Sequence, residues 1–335
     1  MKGPKGAFDI VRAGHVEFFV KDLGRSLKFY ADTLGFVVTE QDRSHAYLRG
    51  LEERQHHSMV LTKAEAPGVA HIAYKVATPE DLDGLASTMS ARGCRVEWVS
   101  KAEAGVAAAL RVKDPFGFPV EFYAEMEKEE WMLQRFEMYK GGEIMRLDHF
   151  NVTVPDVSKA YDWYTKTLGF VCTETTETEG KRPELWAAWL RRKHTCHDVA
   201  LMTGKGPRVH HAGFTVADRQ SIMSCADVLA ATGYVDSMER GPGRHGISNA
   251  FFLYLRDPDG NRIELYTGDY LSADPDWEPI RWKLNDPRRQ TFWGAPAPQS
   301  WFNDAMRVRD LGGKGFVDVH EPRIVDRPKP ASPPG

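Results

Sequence analysis

The chain repeats itself. HVEFFVKDLGRSLKFYADTLGFVVTE, from His15 to Glu40, aligns without gaps on HFNVTVPDVSKAYDWYTKTLGFVCTE, from His149 to Glu174, with eleven of 26 positions identical. At a similar offset AHIAYKV around His71 matches HHAGFTV around His211. KDPFGFPVEFY, ending at Tyr123, then matches RDPDGNRIELY, ending at Tyr266. Two copies of one module, over roughly residues 8–125 and 145–270, are therefore expected to fold alike.

Each copy reads as the same string of elements. A short alternating strand (HVEFFV, HFNVTV) leads into an amphipathic helix that stops at the Gly of LGF. Strands follow, among them AYLRGL, HSMVLT, LWAAWL and DVALMT. A further strand enters a second helix (PEDLDGLASTMSARG, QSIMSCADVLAATG), and more strands close the module. The expected class is α+β, with tandem βαβββ modules: four such units in two domains. Residues 1–125 form the N-terminal pair, expected to be non-catalytic, and 145–270 the C-terminal catalytic pair. Residues 126–144 are a charged linker, expected to be helical before its Gly-Gly. Residues 271–320 are rich in Trp and Pro and suggest a lid, and 321–335 read as disordered.

With 335 residues the chain is long enough for two cores. A net charge of −3 offers no attraction for nucleic acid or an anionic membrane. No apolar run approaches the ~18–20 residues of a membrane helix, and the N-terminus lacks a signal core. A cytoplasmic protein is expected. Its four cysteines form no C-x-x-C pair, so neither a disulfide framework nor a zinc ribbon is suggested. The twelve histidines cluster as His56 and His57, His194 and His197, and His210 and His211.

Strand alternation decides which residues share a face. His149, Asn151 and Thr153 lie opposite Phe150, Val152 and Val154. His211 lies opposite Ala212 and Phe214, and Glu264 opposite Ile263 and Leu265. Any one of the three is an ordinary strand residue. Together, at equivalent places in successive repeat units, they match the two-His, one-carboxylate triad used for non-haem Fe(II). Thiolate ligands are absent, which argues against structural zinc.

On these residues the chain resembles the vicinal oxygen chelate superfamily, and within it the type I extradiol ring-cleaving dioxygenases that act on homoprotocatechuate (3,4-dihydroxyphenylacetate). The stretches that carry the likeness are RLDHFN (146–151), AAWLRRK and HDVAL (187–201), PRVHH (207–211), ERGPGRHGISNAFFLYLRDPD (239–259) and RIELYTGDY (262–270). The resemblance implies His149, His211 and Glu264 as ligands of Fe(II), with Mn(II) as the alternative. It implies His197 as acid/base beside the oxygen site, and Tyr254 and His245 as hydrogen-bond partners of the bound catecholate. Asn151 and Trp189 would line the pocket, and Arg240 with Arg289 would hold a substrate carboxylate. The partners implied are a catecholic substrate and O2, with a homotetramer as the assembly. The reaction implied converts 3,4-dihydroxyphenylacetate and O2 to 5-carboxymethyl-2-hydroxymuconate semialdehyde. Rival readings are another catechol, a glyoxalase-like metalloenzyme, and a ligand-binding relative. Glyoxalase-like enzymes lack the His197, Tyr254 and His245 arrangement, and three intact ligands weigh against a mere binding protein.

The sequence departs from this pattern at one place. The relatives place two arginines, an acidic residue, two Trp and a Gly, whereas this chain reads RRQTFWG. Counting back from FWG, Arg289 lands on an expected position and Gln290 replaces the second arginine. RGPGRHGISN (240–249) resembles a phosphate loop, but it lacks the Lys-Ser/Thr and following helix of one. Arg244 within it has no assigned role. In the first module His15, His71 and Glu121 occupy the triad positions, with His57 near the place of His197. Arg111 replaces Tyr254 there. A cation beside a metal ion is unfavourable, so a structural role is expected for this trio.

Overall fold

A computed structural model describes residues 7–328. Its first half is a mixed sheet of eight strands: β1 (Ile10–Val20), β2 (Val37–Gln41), β3 (His45–Arg49), β4 (Met59–Lys63), β5 (Gly68–Val76), β6 (Arg95–Glu103), β7 (Val106–Lys113) and β8 (Pro119–Tyr123). The second half repeats them as β9 (Ile144–Val154), β10 (Val171–Glu177), β11 (Leu185–Arg191), β12 (Val199–Thr203), β13 (Arg208–Val216), β14 (Met238–Arg244), β15 (Phe251–Arg256) and β16 (Arg262–Thr267). The spatial orders correspond: β2-β3-β4-β1-β5-β8-β7-β6 and β10-β11-β12-β9-β13-β16-β15-β14. Each sheet is thus two βαβββ units joined along their first strands, and the expected α+β class with four units is present.

The seam between units is antiparallel, with Gly213 opposite His149 and His211 opposite Asn151. Both faces of β9 and β13 are largely buried. Phe150, Val152 and Val154 pack under the helices, while His149, Asn151 and Thr153 face the curled interior.

The first helix of each half starts on an aspartate whose carboxylate accepts a backbone N–H: Asp22 from Arg25, and Asp156 from Lys159. Each ends at a glycine with positive φ, 90° at Gly35 and 72° at Gly169. These helices differ from the regular α-helix expected. After one turn they widen, and Leu34 N–H donates to the Phe29 carbonyl five residues back, as Leu168 does to Trp163. Phe29 and Tyr30 in the widened stretch are both fully buried. The second helices, Pro79–Ala91 and Arg219–Ala231, begin with capping boxes at Thr78 and Asp218.

The expected linker helix is reduced to one turn at Phe136–Met138. Its backbone groups bond across to the 51–56 loop instead: Glu129 N–H to the Arg54 carbonyl, Met132 N–H to that of Leu51. No i to i−4 ladder is left to form.

Residues beyond 270 are woven into both halves. Ile280–Lys283, β17, runs parallel to β10. Met306–Arg307, β18, pairs with β13, and Arg309 N–H donates to the Val69 carbonyl of β5. Arg323 N–H reaches the Pro155 carbonyl, and Trp186 Nε1 donates to that of Asp326. The rest of the segment expected to be disordered lies outside the described residues. Among the described residues no helix is long and apolar enough to cross a membrane.

One continuous apolar core spans the halves. Phe150 of β9 packs against Tyr74 of β5 with ring centres 5.8 Å apart. Phe150 is wholly buried, so Phe150→Ala is expected to cost ~3–5 kcal/mol of stability. Phe136, which is 72% exposed, should tolerate Ala within ~0.5 kcal/mol. Denaturant midpoints for the two variants check this contrast.

Candidate active site and metal centre

Three side chains converge inside the second sheet. His149 Nε2 and His211 Nε2 each lie 3.1 Å from the same Glu264 oxygen, Oε2, and 3.3 Å from each other. Ligand bonds of roughly 2.1 Å at right angles put donor atoms about 3 Å apart, so one ion fits all three. All are nearly inaccessible to solvent.

The imidazoles are aimed by their outer nitrogens. His149 Nδ1–H donates to Asp148 Oδ2 at 3.1 Å. His210 Nε2–H donates to the Trp301 carbonyl at 2.7 Å, which leaves its Nδ1 to accept from His211 Nδ1 at 2.8 Å. With both Nδ1 atoms committed, the Nε2 lone pairs face Glu264. This chemistry suits a divalent cation. Burial raises the Glu264 carboxyl, but the two imidazoles outweigh it and hold the group well below its usual range.

One pocket opens on this centre. Its walls include nine of the ten residues singled out in the sequence: His149, His211, Glu264, His197, Tyr254, His245, Asn151, Trp189 and Arg289. The tenth, Arg240, stands behind this wall, its guanidinium stacked on Phe252 and Trp301 at 4.8 and 4.7 Å.

His197 lies against His149, ring centres 4.1 Å apart and planes tilted by 42°. Its Nδ1 is buried without a hydrogen-bond partner. Burial, with the neighbouring His149, drives its pKa well below the ordinary histidine value. On the opposite wall His245 Nδ1–H donates to the Gln290 carbonyl, so Nε2 accepts from the Tyr254 hydroxyl at 3.0 Å. Burial, then the nearby Arg240, lowers His245 to about 3.

Arg240 Nη2 donates to the same Gln290 carbonyl at 3.0 Å and to Thr291 Oγ1 at 2.8 Å, while Nε and Nη1 are buried and unpartnered. Arg289 donates through Nε to the Leu284 carbonyl. Among the described residues no carboxylate lies within ion-pair distance of either arginine. Burial, helped at Arg289 by the charge of Arg240, lowers both to about 10. Arg244 donates to the Asn249 carbonyl at 2.6 Å and is not part of the pocket wall.

Sequence reasoning missed Glu174. In the run TETTETE it reads as one of several solvated strand carboxylates. The fold buries it completely and surrounds it with donors: Ser248 N–H at 2.6 Å, Tyr270 Oη at 2.7 Å and Trp282 Nε1 at 2.6 Å. It thereby ties three separate segments to the pocket rim. Asp148 and His210 were also missed as orienting partners, although each adjoins a triad histidine in sequence.

A family model described as the Glyoxalase/Bleomycin resistance protein/Dioxygenase superfamily matches residues 12–122 and 146–265. A manganese-dependent 2,3-dihydroxybiphenyl 1,2-dioxygenase of Geobacillus genomosp. 3 is 32% identical over 301 residues, 86% of this chain and 95% of that protein. A metapyrocatechase of Geobacillus stearothermophilus is 30% identical over 88% of this chain and 93% of its own length. Homoprotocatechuate 2,3-dioxygenase of Brevibacterium fuscum, solved with 3,4-dihydroxyphenylacetate, superposes with a TM-score of 0.90 at 41% identity. That match covers 96% of this chain and 99% of the other. The chain belongs to this superfamily, and among its members to the extradiol ring-cleaving dioxygenases.

Gly213 faces the triad from the neighbouring strand. A Cβ there would lie 2.2 Å from His149 Cε1 and 2.4 Å from Nε2. Gly213→Ala is therefore expected to displace His149 and weaken metal affinity ~10–100-fold, as loss of an orienting partner does. Chelator competition on the purified variant measures it.

Proposed function

We propose that the enzyme opens the ring of a catechol bearing an acidic side chain, 3,4-dihydroxyphenylacetate foremost, to 5-carboxymethyl-2-hydroxymuconate semialdehyde. The observation that carries this reading is the pair of buried arginines with no carboxylate partner. A desolvated guanidinium needs an anion, and its planar fork suits a carboxylate. Arg289, in the pocket wall, takes the contact. Arg240 lies behind and adds positive potential.

His149, His211 and Glu264 would hold the ion, Fe(II) in this reading, with Mn(II) as the alternative the same donors accept. When bound, such an ion helps deprotonate the diol and supplies the redox coupling that lets triplet dioxygen react with a singlet ring. The protein supplies the rest. Tyr254 would turn its hydroxyl proton from His245 to a catecholate oxygen, and His245 Nε2, its tautomer fixed by the Gln290 carbonyl, would accept from the diol hydroxyl that stays protonated. His197 is neutral at physiological pH by virtue of its burial. Its ring can take a proton and return it within one turnover. Trp189 and Asn151 set the plane of the ring, and residues 284–303 cover the pocket and exclude water. A second reading, an uncharged aryl catechol, is favoured by Trp186, Trp189 and Trp301 in the walls and by the substrate named for the Geobacillus relative.

Arg289→Ala separates the two. Truncating one partner of a buried charged pair costs ~2–5 kcal/mol. KM for 3,4-dihydroxyphenylacetate should therefore rise about 30-fold or more, while KM for plain catechol changes little. Equal effects on both substrates would overturn the acidic-substrate reading. His197→Asn should lower kcat ~100- to 10,000-fold while leaving KM for the catechol within a few-fold. Steady-state oxygen uptake and the yellow product absorbance report both parameters.

A further inference from the structure

The first sheet contains a second convergence of ligand-type side chains, remote from the pocket just described. His15 on β1, His71 on β5 and Glu121 on β8 stand at the repeat positions of His149, His211 and Glu264. The fold adds a fourth residue, Glu103 at the end of β6, for which the repeat gives no warning. One donor atom from each lies within 4.8 Å of all the others. His15 Nε2 is 3.0 Å from His71 Nε2, 3.3 Å from Glu103 and 3.4 Å from Glu121. His71 Nε2 is 3.0 Å from Glu103. Glu121 stands farther from His71, at 3.8 Å, so the cluster is somewhat looser than the triad of the second half and has one more carboxylate.

We infer that His15, His71, Glu103 and Glu121 form a second metal centre, a site with two nitrogen and two oxygen donors for a divalent first-row transition ion. Three further observations support it. Glu121 is wholly buried, and its Oε1 faces the cluster without a hydrogen-bond partner. His71 Nδ1 is held by Glu17 Oε2 at 3.1 Å, as His149 is held by Asp148, so that its Nε2 faces the centre. His57 Nε2 lies 2.8 Å from Glu103 and orients that carboxylate in turn.

The charge count points the same way. Arg111 donates from Nε to Glu121 at 2.7 Å and from Nη2 to Glu103 at 3.5 Å. Beside a triad with a single carboxylate this cation would repel a metal ion. With both imidazoles neutral, as ligands are, Glu17, Glu103 and Glu121 carry three negative charges against one, and a divalent cation would neutralise the remaining two. An open cavity of about 750 Å³, bordered by Glu17, Glu103 and Arg111, gives an ion a way in.

The site differs from the catalytic one in what it leaves free. Four protein donors and the Arg111 guanidinium leave little room for a chelating diol and oxygen together. The centre therefore holds an ion as a structural element of the first half and does not turn over catechol.

The test uses the full-length chain, stripped with chelator, dialysed against Zn(II) or Mn(II), and assayed by inductively coupled plasma mass spectrometry. Wild type should carry two equivalents per chain. His149→Ala/His211→Ala should retain one, and Zn(II) should raise its Tm. Glu103→Gln should also retain one, with turnover per catalytic equivalent within twofold of wild type. One equivalent in wild type, none in His149→Ala/His211→Ala, or two in Glu103→Gln would each overturn the inference. Should a variant fail to fold, the wild-type stoichiometry decides alone, and none of these results depends on which catechol is the substrate.

Discussion

Two imidazole nitrogens and a carboxylate oxygen, all buried and about 3 Å apart, are an unfavourable arrangement unless something positive lies between them. Much of the second half makes sense as the scaffold that enforces it. The antiparallel seam of β9 and β13 brings His149 and His211 into register, and the parallel pairing of β13 with β16 adds Glu264. Asp148 and His210 prevent either ring from turning away. Gly213 leaves the space into which His149 swings. The helices pack on the apolar faces of the same strands, so the energy that holds the sheet together also holds these three side chains in place.

Symmetry between the halves is close in topology and broken in chemistry. Tyr254 and Arg111 occupy matching places beside Glu264 and Glu121 in their ladders. A phenol can give its one proton to His245 or to another acceptor in the pocket. A guanidinium cannot release one at any physiological pH, and it claims the carboxylate for itself. A duplicated module can therefore keep one fold while the chemistry beside the buried carboxylate differs between its copies.

Much of this was legible in the sequence because a repeat is long and strand alternation is strict. TLGFV recurring at a fixed offset implied two like modules, and period two placed His149, His211 and Glu264 on polar faces. Hydrogen bonds that close over long sequence separations left no such trace. Glu174 differs from its neighbours in TETTETE only through Tyr270 and Trp282, about a hundred residues away. Glu103 enters its cluster because β6 extends past the last residue of its counterpart β14. Arg240 sits on a strand whose register with β15 shifts around Gly241 and Pro242, so counting by twos does not give its direction. The linker shows the converse case: local composition suggested a helix, and partners in the 51–56 loop took its backbone groups.

The Trp301 carbonyl, through His210, is the last link in the chain that orients His211. It belongs to the Gln299–Asn303 helix, which the ribosome makes only after every strand of both sheets. The four βαβββ units can thus be paired while the His211 ring still lacks its last constraint. Its orientation is completed only when the far end of the chain docks on a strand made some ninety residues earlier.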